Sequence, residues 1–226
     1  MSTFALIHGG GGSGWEWQLV AAQLRARGHD AVAPDLSDDG SATLSDYAHD
    51  VVRAVADSDE IVVVGHSFGA FTAPLVAAHR PVSGLVLVAG MIPTPGESPA
   101  DWWTNTRHAE AVRHQAVADG GLTGSEDPTV CYYHDVPSAL AVQAQNRERS
   151  HPSMRAYAEP WPLHEWPDVR TRLVLCTEDR LLPAEFLHRV ARDRLGIIPD
   201  ELASGHCPAL GHPHALASLL SSYRYA

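Results

Sequence analysis

Short apolar runs alternate along the chain with segments in which apolar residues recur at the spacing of an amphipathic helix. The runs predict strands at 3–7, 29–34, 60–64, 84–89, 172–176 and 198–203. The helical spacing predicts helices at 15–27, 43–56, 70–78, 183–195 and 213–223, with Thr43 and Asp46 in the pattern of a capping box. This alternation indicates an α/β fold whose sheet is mostly parallel and doubly wound, with right-handed crossovers.

Residues 91–165 break this alternation. The segment is rich in Pro, Trp, His and Tyr, shows two helical stretches at 101–118 and 137–148, and holds no convincing strand. We therefore predict a helical cap insertion over 91–165, packed on a core formed by 1–90 and 166–226. A chain of 226 residues is long enough for one such domain with its own buried core.

The charge and cysteine content narrow the class of protein. A net charge of −11 argues against nucleic acid as a partner, because nucleic-acid-binding surfaces are basic. No apolar run approaches the roughly 18 residues of a membrane span, so we expect neither a signal peptide nor a transmembrane helix. Cys131, Cys176 and Cys207 are widely spaced, which is typical of reduced thiols. These features predict a cytoplasmic monomer or homodimer that acts on a small molecule, without a membrane partner.

The strand at 60–64 runs directly into Gly65-His66-Ser67-Phe68-Gly69, and a helix follows. This order places Ser67 where a strand turns abruptly into a helix, which is the geometry of a nucleophile elbow. Gly65 and Gly69 face each other across the tight turn, where a Cβ would be crowded. The pattern predicts that the Ser67 Oγ is exposed at the edge of the sheet, in front of a helix N-terminus.

A glycine-rich loop, His8-Gly9-Gly10-Gly11-Gly12-Ser13-Gly14-Trp15, follows the first strand. A nucleotide-binding loop is the alternative for such a run, but a P-loop requires Gly-Lys-Ser/Thr and this loop has no Lys. The opening His-Gly-Gly favours an oxyanion loop, whose backbone N–H groups approach the substrate closely. We predict that His8 is structural and that its ring hydrogen-bonds this loop.

A serine hydroxyl needs a base to take its proton, and the base needs an acid that fixes its tautomer. Asp179 comes just after the fifth predicted strand and is the predicted acid, with the adjacent Glu178 as the alternative. His206 lies on the loop after the last strand and is the predicted base, whereas His212 and His214 fall at the final helix. The spacing of the histidines matches no metal-ligand pattern, so we expect neither a metal nor a cofactor.

With these motifs in chain order, the sequence resembles the α/β-hydrolase superfamily over its entire length. Within that superfamily it is similar to the plant-type methylesterase and hydroxynitrile-lyase group and its bacterial relatives. The second resemblance rests on the motifs His8-Gly9-Gly10, Gly14-Trp15, Gly65-His66-Ser67-Phe68-Gly69, Thr177-Glu178-Asp179-Arg180 and Gly205-His206, and on the pair Trp102-Trp103 and the run Tyr132-Tyr133-His134-Asp135 in the predicted cap.

The resemblance implies that Ser67 attacks an acyl carbon, that His206 takes its proton, and that Asp179 orients the imidazole. The oxyanion would be held by the N–H groups of Gly10 and Phe68, and the pocket would include Gly9, His66, Trp102, Trp103 and Cys207. The cyanogenic lyases of the group have His-Thr in the first motif and a Lys after the catalytic His. Gly9 and Cys207 occupy those positions here, which favours ester hydrolysis over lyase chemistry.

We therefore predict a cofactor-independent serine hydrolase that cleaves a small, largely apolar or aromatic carboxylic ester through an acyl-enzyme intermediate. The Trp and Tyr content of 91–165 favours such substrates, because aromatic walls are typical of hydrophobic pockets. A lyase, a decarboxylase or a cofactor-free oxygenase that uses His206 and Asp179 stays open as an alternative on the same fold. A non-catalytic ligand-binding receptor is the third possibility.

Overall fold

The strands of the protein form one parallel sheet. The computed structural model describes residues 1–147, 149 and 151–225. Within these residues the strands are β1 Thr3–Ile7, β2 Asp30–Val32, β3 Ile61–His66, β4 Gly84–Val88, β5 Thr171–Cys176 and β6 Asp200–Leu202. They pair in the order β2-β1-β3-β4-β5-β6, and every neighbouring pair is parallel.

Helices occupy the connections between the strands. Their bounds are α1 Gln18–Ala26, α2 Leu44–Ala54, α3 Gly69–His79, α4 Pro99–Asn105, α5 His108–Asp119, α6 Pro128–Cys131, α7 Ser138–Gln145, α8 Met154–Ala158, α9 Ala184–Leu195, α10 Pro208–Gly211 and α11 Pro213–Ser222. A short 3-10 helix, Gly14–Trp17, precedes α1. The predicted capping box is present at α2, where Thr43 Oγ1 accepts the Asp46 N–H and the Asp46 carboxylate accepts the Thr43 N–H. Among the described helices, none is long and apolar enough to cross a membrane.

Both faces of the sheet are covered, which explains why central strands such as β3 and β4 are almost continuously apolar. Val63 lies in a buried cluster with residues of α2, α3 and α9. Its neighbours Val62 and Val64 point to the other face and lie in a second buried cluster with α1 and α11. Successive side chains of a strand point to opposite faces of the sheet. A strand covered by helices on both faces therefore has no position at which a polar side chain would reach solvent.

The loops that follow the strands all leave the sheet on the same side, at the carboxyl ends of the strands, because the strands are parallel. The chain passes from β1 to its neighbour β2 and then returns to β3 on the opposite side of β1. Such a reversal in strand order opens a crevice beyond the carboxyl ends of the strands, where ligands of open α/β sheets bind. Loops that begin after β1, β3, β5 and β6 surround this crevice.

Residues 91–165 connect β4 to β5 and contain α4 to α8. The single helix predicted at 101–118 is wrong, because α4 and α5 are separate and Arg107 between them has a positive φ of 57°. The Thr106 Oγ1 donates a hydrogen bond to the Trp102 carbonyl at 2.6 Å and closes the last turn of α4. The helix predicted at 137–148 is α7, which ends at Gln145, and Glu148 lies outside the described residues.

Other differences from the prediction concern short elements. Helices α6 and α8 span only four and five residues, too few to show a helical period in the sequence. The strand predicted at 198–203 is limited to β6, because Ile198 is 92% exposed and Pro199 has no N–H to donate to a neighbouring strand.

Candidate active site

Ser67 stands on a sharp turn between β3 and α3. Its φ is +49°, a conformation that residues with a side chain seldom adopt. A Cβ on Gly65 would lie 2.6 Å from the Gly69 carbonyl oxygen, and a Cβ on Gly69 would lie 2.8 Å from the His8 carbonyl oxygen. Only glycine fits at these two positions, so the turn and its contact with the loop after β1 depend on both.

Backbone hydrogen bonds hold this turn in place. The Ser67 N–H donates to the carbonyl of Val88 at 3.0 Å, and the Met91 N–H donates to the carbonyl of Ser67 at 3.0 Å. Both partners belong to β4 or the residues just after it. The neighbouring strand therefore offsets the strain of the positive φ at Ser67.

Ser67, His206 and Asp179 form a continuous line of hydrogen bonds. The His206 Nε2 is 3.2 Å from the Ser67 Oγ, and the His206 Nδ1 is 2.8 Å from the Asp179 Oδ2. The other Asp179 oxygen, Oδ1, accepts the backbone N–H groups of Leu181 and Leu182 at 2.8 and 2.9 Å. All three side chains of the line are buried. The line has the arrangement that transfers a proton from a serine hydroxyl to an imidazole held by a carboxylate.

The adjacent Glu178 is not part of this line. Its side chain is exposed, while Asp179 is buried with 4% of its surface accessible. The Glu178 backbone N–H donates to the Ser204 carbonyl at 3.0 Å, which brings the loop after β5 beside the loop that carries His206. Of the two carboxylates that the sequence offered, the structure pairs Asp179 with His206.

The backbone N–H groups of Gly10 and Phe68 face no acceptor within the described residues, since neither donates a hydrogen bond there. Gly10 and Phe68 are close neighbours: a Cβ on Gly10 would lie 3.8 Å from the Phe68 Cβ. A Cβ on Gly9 would lie 3.1 Å from the His66 Nδ1 and 3.2 Å from the Ser67 Cβ. The glycines of this loop thus bring the Gly10 N–H close to the Phe68 N–H, and both groups lie next to Ser67.

Two buried histidines support the site without joining the line. Burial, with a smaller contribution from His206, lowers the pKa of His66 to about 3. The neutral ring donates its Nε2–H to the His206 carbonyl at 2.7 Å. Burial likewise lowers the pKa of His8 to about 4; its Nδ1–H donates to the Gly9 carbonyl at 2.9 Å and its Nε2 accepts the Leu36 N–H at 3.2 Å. Both rings fix the backbone next to Ser67.

A cavity of about 710 Å³ opens in front of Ser67. The predicted site residues Gly9, Gly10, His66, Ser67, Phe68, Trp103, His206 and Cys207 all line it. Residues 91–165 contribute more of its wall, including Tyr132, Tyr133, Met154 and Tyr157. The wall is therefore mainly apolar and aromatic on the side facing away from the sheet.

Trp102 was predicted in the pocket, and this prediction is wrong. Its indole is fully buried, packs against Phe186 of α9 and donates its Nε1–H to the Ile92 carbonyl at 2.8 Å. Trp103 is the residue that faces the cavity, where its Nε1–H donates to the Tyr157 hydroxyl at 3.0 Å. Consecutive residues of a helix point in different directions, so only one member of the pair can face the cavity.

Sequence reasoning missed Glu16 and Asp135. Glu16 lies in the 3-10 helix after the glycine-rich loop, and its side chain lines the cavity. Asp135, from the loop between α6 and α7, accepts the Gly205 N–H at 2.5 Å and holds the residue before His206. In the sequence, Glu16 stands out as a carboxylate between Trp15 and Trp17, directly after the glycine-rich loop. No pattern in the sequence marks Asp135 as a residue that contacts the loop of His206.

Cysteine and histidine side chains elsewhere show no other reactive cluster. Cys131, Cys176 and Cys207 are buried and free, and burial raises the pKa of Cys131 to about 11. No group of three or more His, Cys, Asp or Glu side chains in the described part of the chain is placed to hold a metal ion.

Comparisons with known proteins find one matching protein family and several similar proteins. A protein-family model described as an alpha/beta hydrolase family matches residues 4–219. Methylesterase 7 from Arabidopsis thaliana is 26% identical over 247 aligned residues, which cover 96% of this chain and 94% of the relative. Norfluorocurarine synthase 1 from a Strychnos species is 22% identical over 96% of this chain and 93% of its own. The crystal structure of a pyrethroid hydrolase from Sphingobium faniae JZ-2 superposes with a TM-score of 0.73 at 20% identity, covering 97% of this chain and 96% of that one.

Proposed function

This chain belongs to the alpha/beta hydrolase family, whose model matches residues 4–219, and from that premise we propose that it is a serine hydrolase that cleaves carboxylic esters. The observation that carries the proposal is the line of hydrogen bonds from Ser67 through His206 to Asp179. The name of the relative methylesterase 7 supports the same reaction class. The reaction proceeds through an acyl-enzyme intermediate.

In the first half of the reaction, the Ser67 Oγ attacks the ester carbonyl carbon while the His206 Nε2 takes the hydroxyl proton. The Asp179 Oδ2 accepts the Nδ1–H of His206 and stabilises the imidazolium that forms. The tetrahedral intermediate collapses when the bond from the carbon to the alcohol oxygen breaks and that oxygen receives the proton from His206. Water then repeats the sequence on the acyl-serine, and the products are an acid and an alcohol.

The oxyanion of each tetrahedral intermediate is held by the N–H groups of Gly10 and Phe68. Both groups lie beside Ser67 and neither donates to a described residue, so the negative charge finds two donors already in place. Preorganised donors of this kind contribute roughly 10²–10³ in rate each.

Substrates of this site are small and largely apolar or aromatic. The cavity of about 710 Å³ has the size of a site for a drug-sized molecule. The apolar and aromatic residues of its wall include Phe68, Trp103, Tyr132, Tyr133 and Met154, and all but Phe68 come from residues 91–165. We infer that this segment acts as the cap that selects the substrate, over a core formed by 1–90 and 166–226.

The decisive experiment measures hydrolysis of p-nitrophenyl acetate and p-nitrophenyl butyrate by the wild type and by Ser67→Ala. We expect kcat to fall by at least about 10³-fold in Ser67→Ala, because the nucleophile is lost. Ser221→Ala is the matched control, since the Ser221 Oγ bonds only the Ala217 carbonyl on α11 and the variant should match the wild type. A fluorophosphonate reagent should also add its mass to the peptide that contains Ser67. Wild type without ester turnover, or Ser67→Ala with wild-type turnover, would contradict the proposal.

A further inference from the structure

Glu16 is a carboxyl group in the candidate site that the proposed reaction does not use. It lies in the 3-10 helix Gly14–Trp17, and its side chain lines the same cavity as Ser67 and His206. Trp17 on one side is buried in the core, and the ring of Trp15 on the other side packs under the guanidinium of Arg147 at 4.9 Å. These two anchors orient the side chain of Glu16 towards the cavity.

The loop before this helix is shaped around the carboxyl group. A Cβ on Gly12 would lie 2.7 and 2.9 Å from the two oxygens of Glu16. Any residue with a side chain at position 12 would therefore displace the carboxyl group from its place. Gly12 thus leaves room for Glu16 in the loop that also supplies the Gly10 N–H.

The Glu16 carboxyl group accepts no hydrogen bond from a described residue. Its pKa is raised to about 7 by burial, with a smaller opposite effect from His206, and no hydrogen bond contributes. Other buried carboxylates of the protein are paired: Asp179 accepts two backbone N–H groups and His206, and Glu97 accepts the guanidinium of Arg194. A polar group left without a partner in a partly buried site is unfavourable unless a ligand supplies the partner.

Glu16 lines the same cavity as His206 and Cys207, and its charge interacts with both of these groups. The His206 Nε2 faces Ser67 and, in the proposed reaction, returns its proton to the alcohol oxygen of the ester. The alcohol part of the substrate therefore leaves next to His206, in the cavity that Glu16 also lines.

We propose that Glu16 recognises the substrate by a hydrogen bond to a hydroxyl group on the alcohol part of the ester. The inference rests on the proposed function and adds a substrate class to it: esters of alcohols that carry a second hydroxyl group. Both forms of the carboxyl group can accept a hydrogen bond from a hydroxyl, and the protonated form can also donate one. Much of the remaining wall of the cavity is apolar or aromatic, including Phe68, Trp103 and Met154, which favours an apolar remainder of the substrate.

The test compares 2-hydroxyethyl butyrate with propyl butyrate, two esters that differ by a hydroxyl in place of a methyl group. Release of butyrate gives the ratio of the two kcat/KM values. We expect Glu16→Leu to lower this ratio by about tenfold relative to the wild type, the effect of one hydrogen bond. Glu16→Gln should keep most of the ratio, because its amide also hydrogen-bonds a hydroxyl. An unchanged ratio in Glu16→Leu would overturn the proposal.

A second pair of esters tests the assignment to the alcohol part. Methyl 3-hydroxybutyrate and methyl 3-methylbutyrate differ by the same exchange on the acyl part. Their kcat/KM ratio should be the same in Glu16→Leu and the wild type, and a change confined to this pair would overturn the placement. Thermal unfolding of both Glu16 variants shows that the comparison is made on folded protein.

Binding separates this proposal from the proposed function. In Ser67→Ala, NMR titration with 2-hydroxyethyl butyrate and with propyl butyrate gives the two Kd values without turnover. Adding Glu16→Leu should raise the Kd of the hydroxylated ester by about tenfold and leave that of propyl butyrate unchanged. If turnover is absent but this difference is present, ester hydrolysis fails and Glu16 recognition stands. If turnover depends on Ser67 and the difference is absent, only Glu16 recognition fails.

Discussion

The two adjacent carboxylates after β5 show how a single residue decides the chemistry of the site. Asp179 is buried and hydrogen-bonded to His206, while Glu178 points to solvent. Motif order along the chain pointed to this loop, but it left both residues as candidates. Which of two neighbours turns inward depends on the backbone of the loop, where the Leu181 and Leu182 N–H groups converge on the Asp179 Oδ1.

Exchange of these two residues for their amides is a direct prediction at this scale. Asp179→Asn should lower kcat for p-nitrophenyl butyrate by about 10⁴-fold, because an amide cannot hold His206 in the required tautomer. Glu178→Gln is the matched control and should keep kcat within about twofold of the wild type, since surface changes have small effects. A large loss in Glu178→Gln, or a small one in Asp179→Asn, would contradict the assignment.

Sequence patterns specify the positions of some of the other candidate site residues more closely than those of others. Ser67, His206, Gly10 and Phe68 sit on turns whose motifs require particular residues, so their positions follow from chain order. Trp102 and Trp103 belong to a helix whose rotation about its axis is set by tertiary packing. Aromatic composition placed a tryptophan near the pocket but could not say which of the two faces it.

At the scale of elements, the loop between α6 and α7 links residues 91–165 to the two loops that carry Asp179 and His206. The Asp135 carboxylate accepts the Gly205 N–H at 2.5 Å and lies 3.1 Å from the His212 Nε2. The neighbouring His134 Nε2 donates to the Glu178 carbonyl at 3.0 Å. Residues far apart in sequence therefore fix the distance between Asp179 and His206.

Removal of this link should weaken catalysis more than it weakens the fold. We expect Asp135→Ala to lower kcat for p-nitrophenyl butyrate by roughly tenfold, because the loop before His206 loses its anchor and small misplacements of catalytic groups are costly. KM should change less, since the apolar wall of the cavity is intact. Asp57→Ala, an exposed residue outside the site, should leave both constants unchanged. A kcat equal to that of the wild type, measured well below the Tm of the variant, would show that Asp135 does not position His206.

Elements of the sheet were predictable and those of the cap were not, for a physical reason. A buried parallel strand such as β3 is recognisable because each of its residues must be apolar. Helix α2 carries its own start signal in Thr43 and Asp46. Helices α4, α6, α7 and α8 span four to eight residues and are separated by turns, so contacts with distant residues define their limits; the break at Arg107 is one example. Contacts of that kind leave no periodic spacing of apolar residues in the sequence.

For the whole molecule, the family match over residues 4–219 confirms the fold class and the family resemblance that the motifs predicted. The buried titratable groups of the site add a property that no motif revealed. His8, His66 and His151 are buried, and burial lowers their pKa values to about 4, 3 and 3. Burial raises the pKa of the Glu16 carboxyl group, to about 7. The fold therefore favours the neutral forms of three imidazoles and one carboxyl group.

The buried histidines should consequently lower the stability of the protein below pH 6.5, and Glu16 should lower it between pH 4.5 and about pH 7. The histidines have lower pKa values folded than unfolded, so their contribution is complete above pH 6.5 and is lost as pH falls towards 3 to 4. Each costs up to about 2 kcal/mol between pH 6.5 and pH 5, since one pKa unit is 1.36 kcal/mol. Glu16 has a higher pKa folded than unfolded, so its contribution is complete below pH 4.5 and is lost as pH rises through about 7.

Urea unfolding as a function of pH checks both contributions with two variants. Glu16→Gln should be more stable than the wild type by about 3 kcal/mol at pH 8 and nearly equal to it at pH 4.5, because the amide does not ionise. His151→Phe keeps a ring against Tyr47 and Phe68 and should reduce the loss between pH 6.5 and pH 5 by about 2 kcal/mol. Glu165→Gln, at an exposed position, is the control and should differ from the wild type by the same small amount at every pH. If the Glu16→Gln difference is independent of pH, folding does not raise the pKa of Glu16, and the ionised carboxylate is the form that meets the substrate at neutral pH.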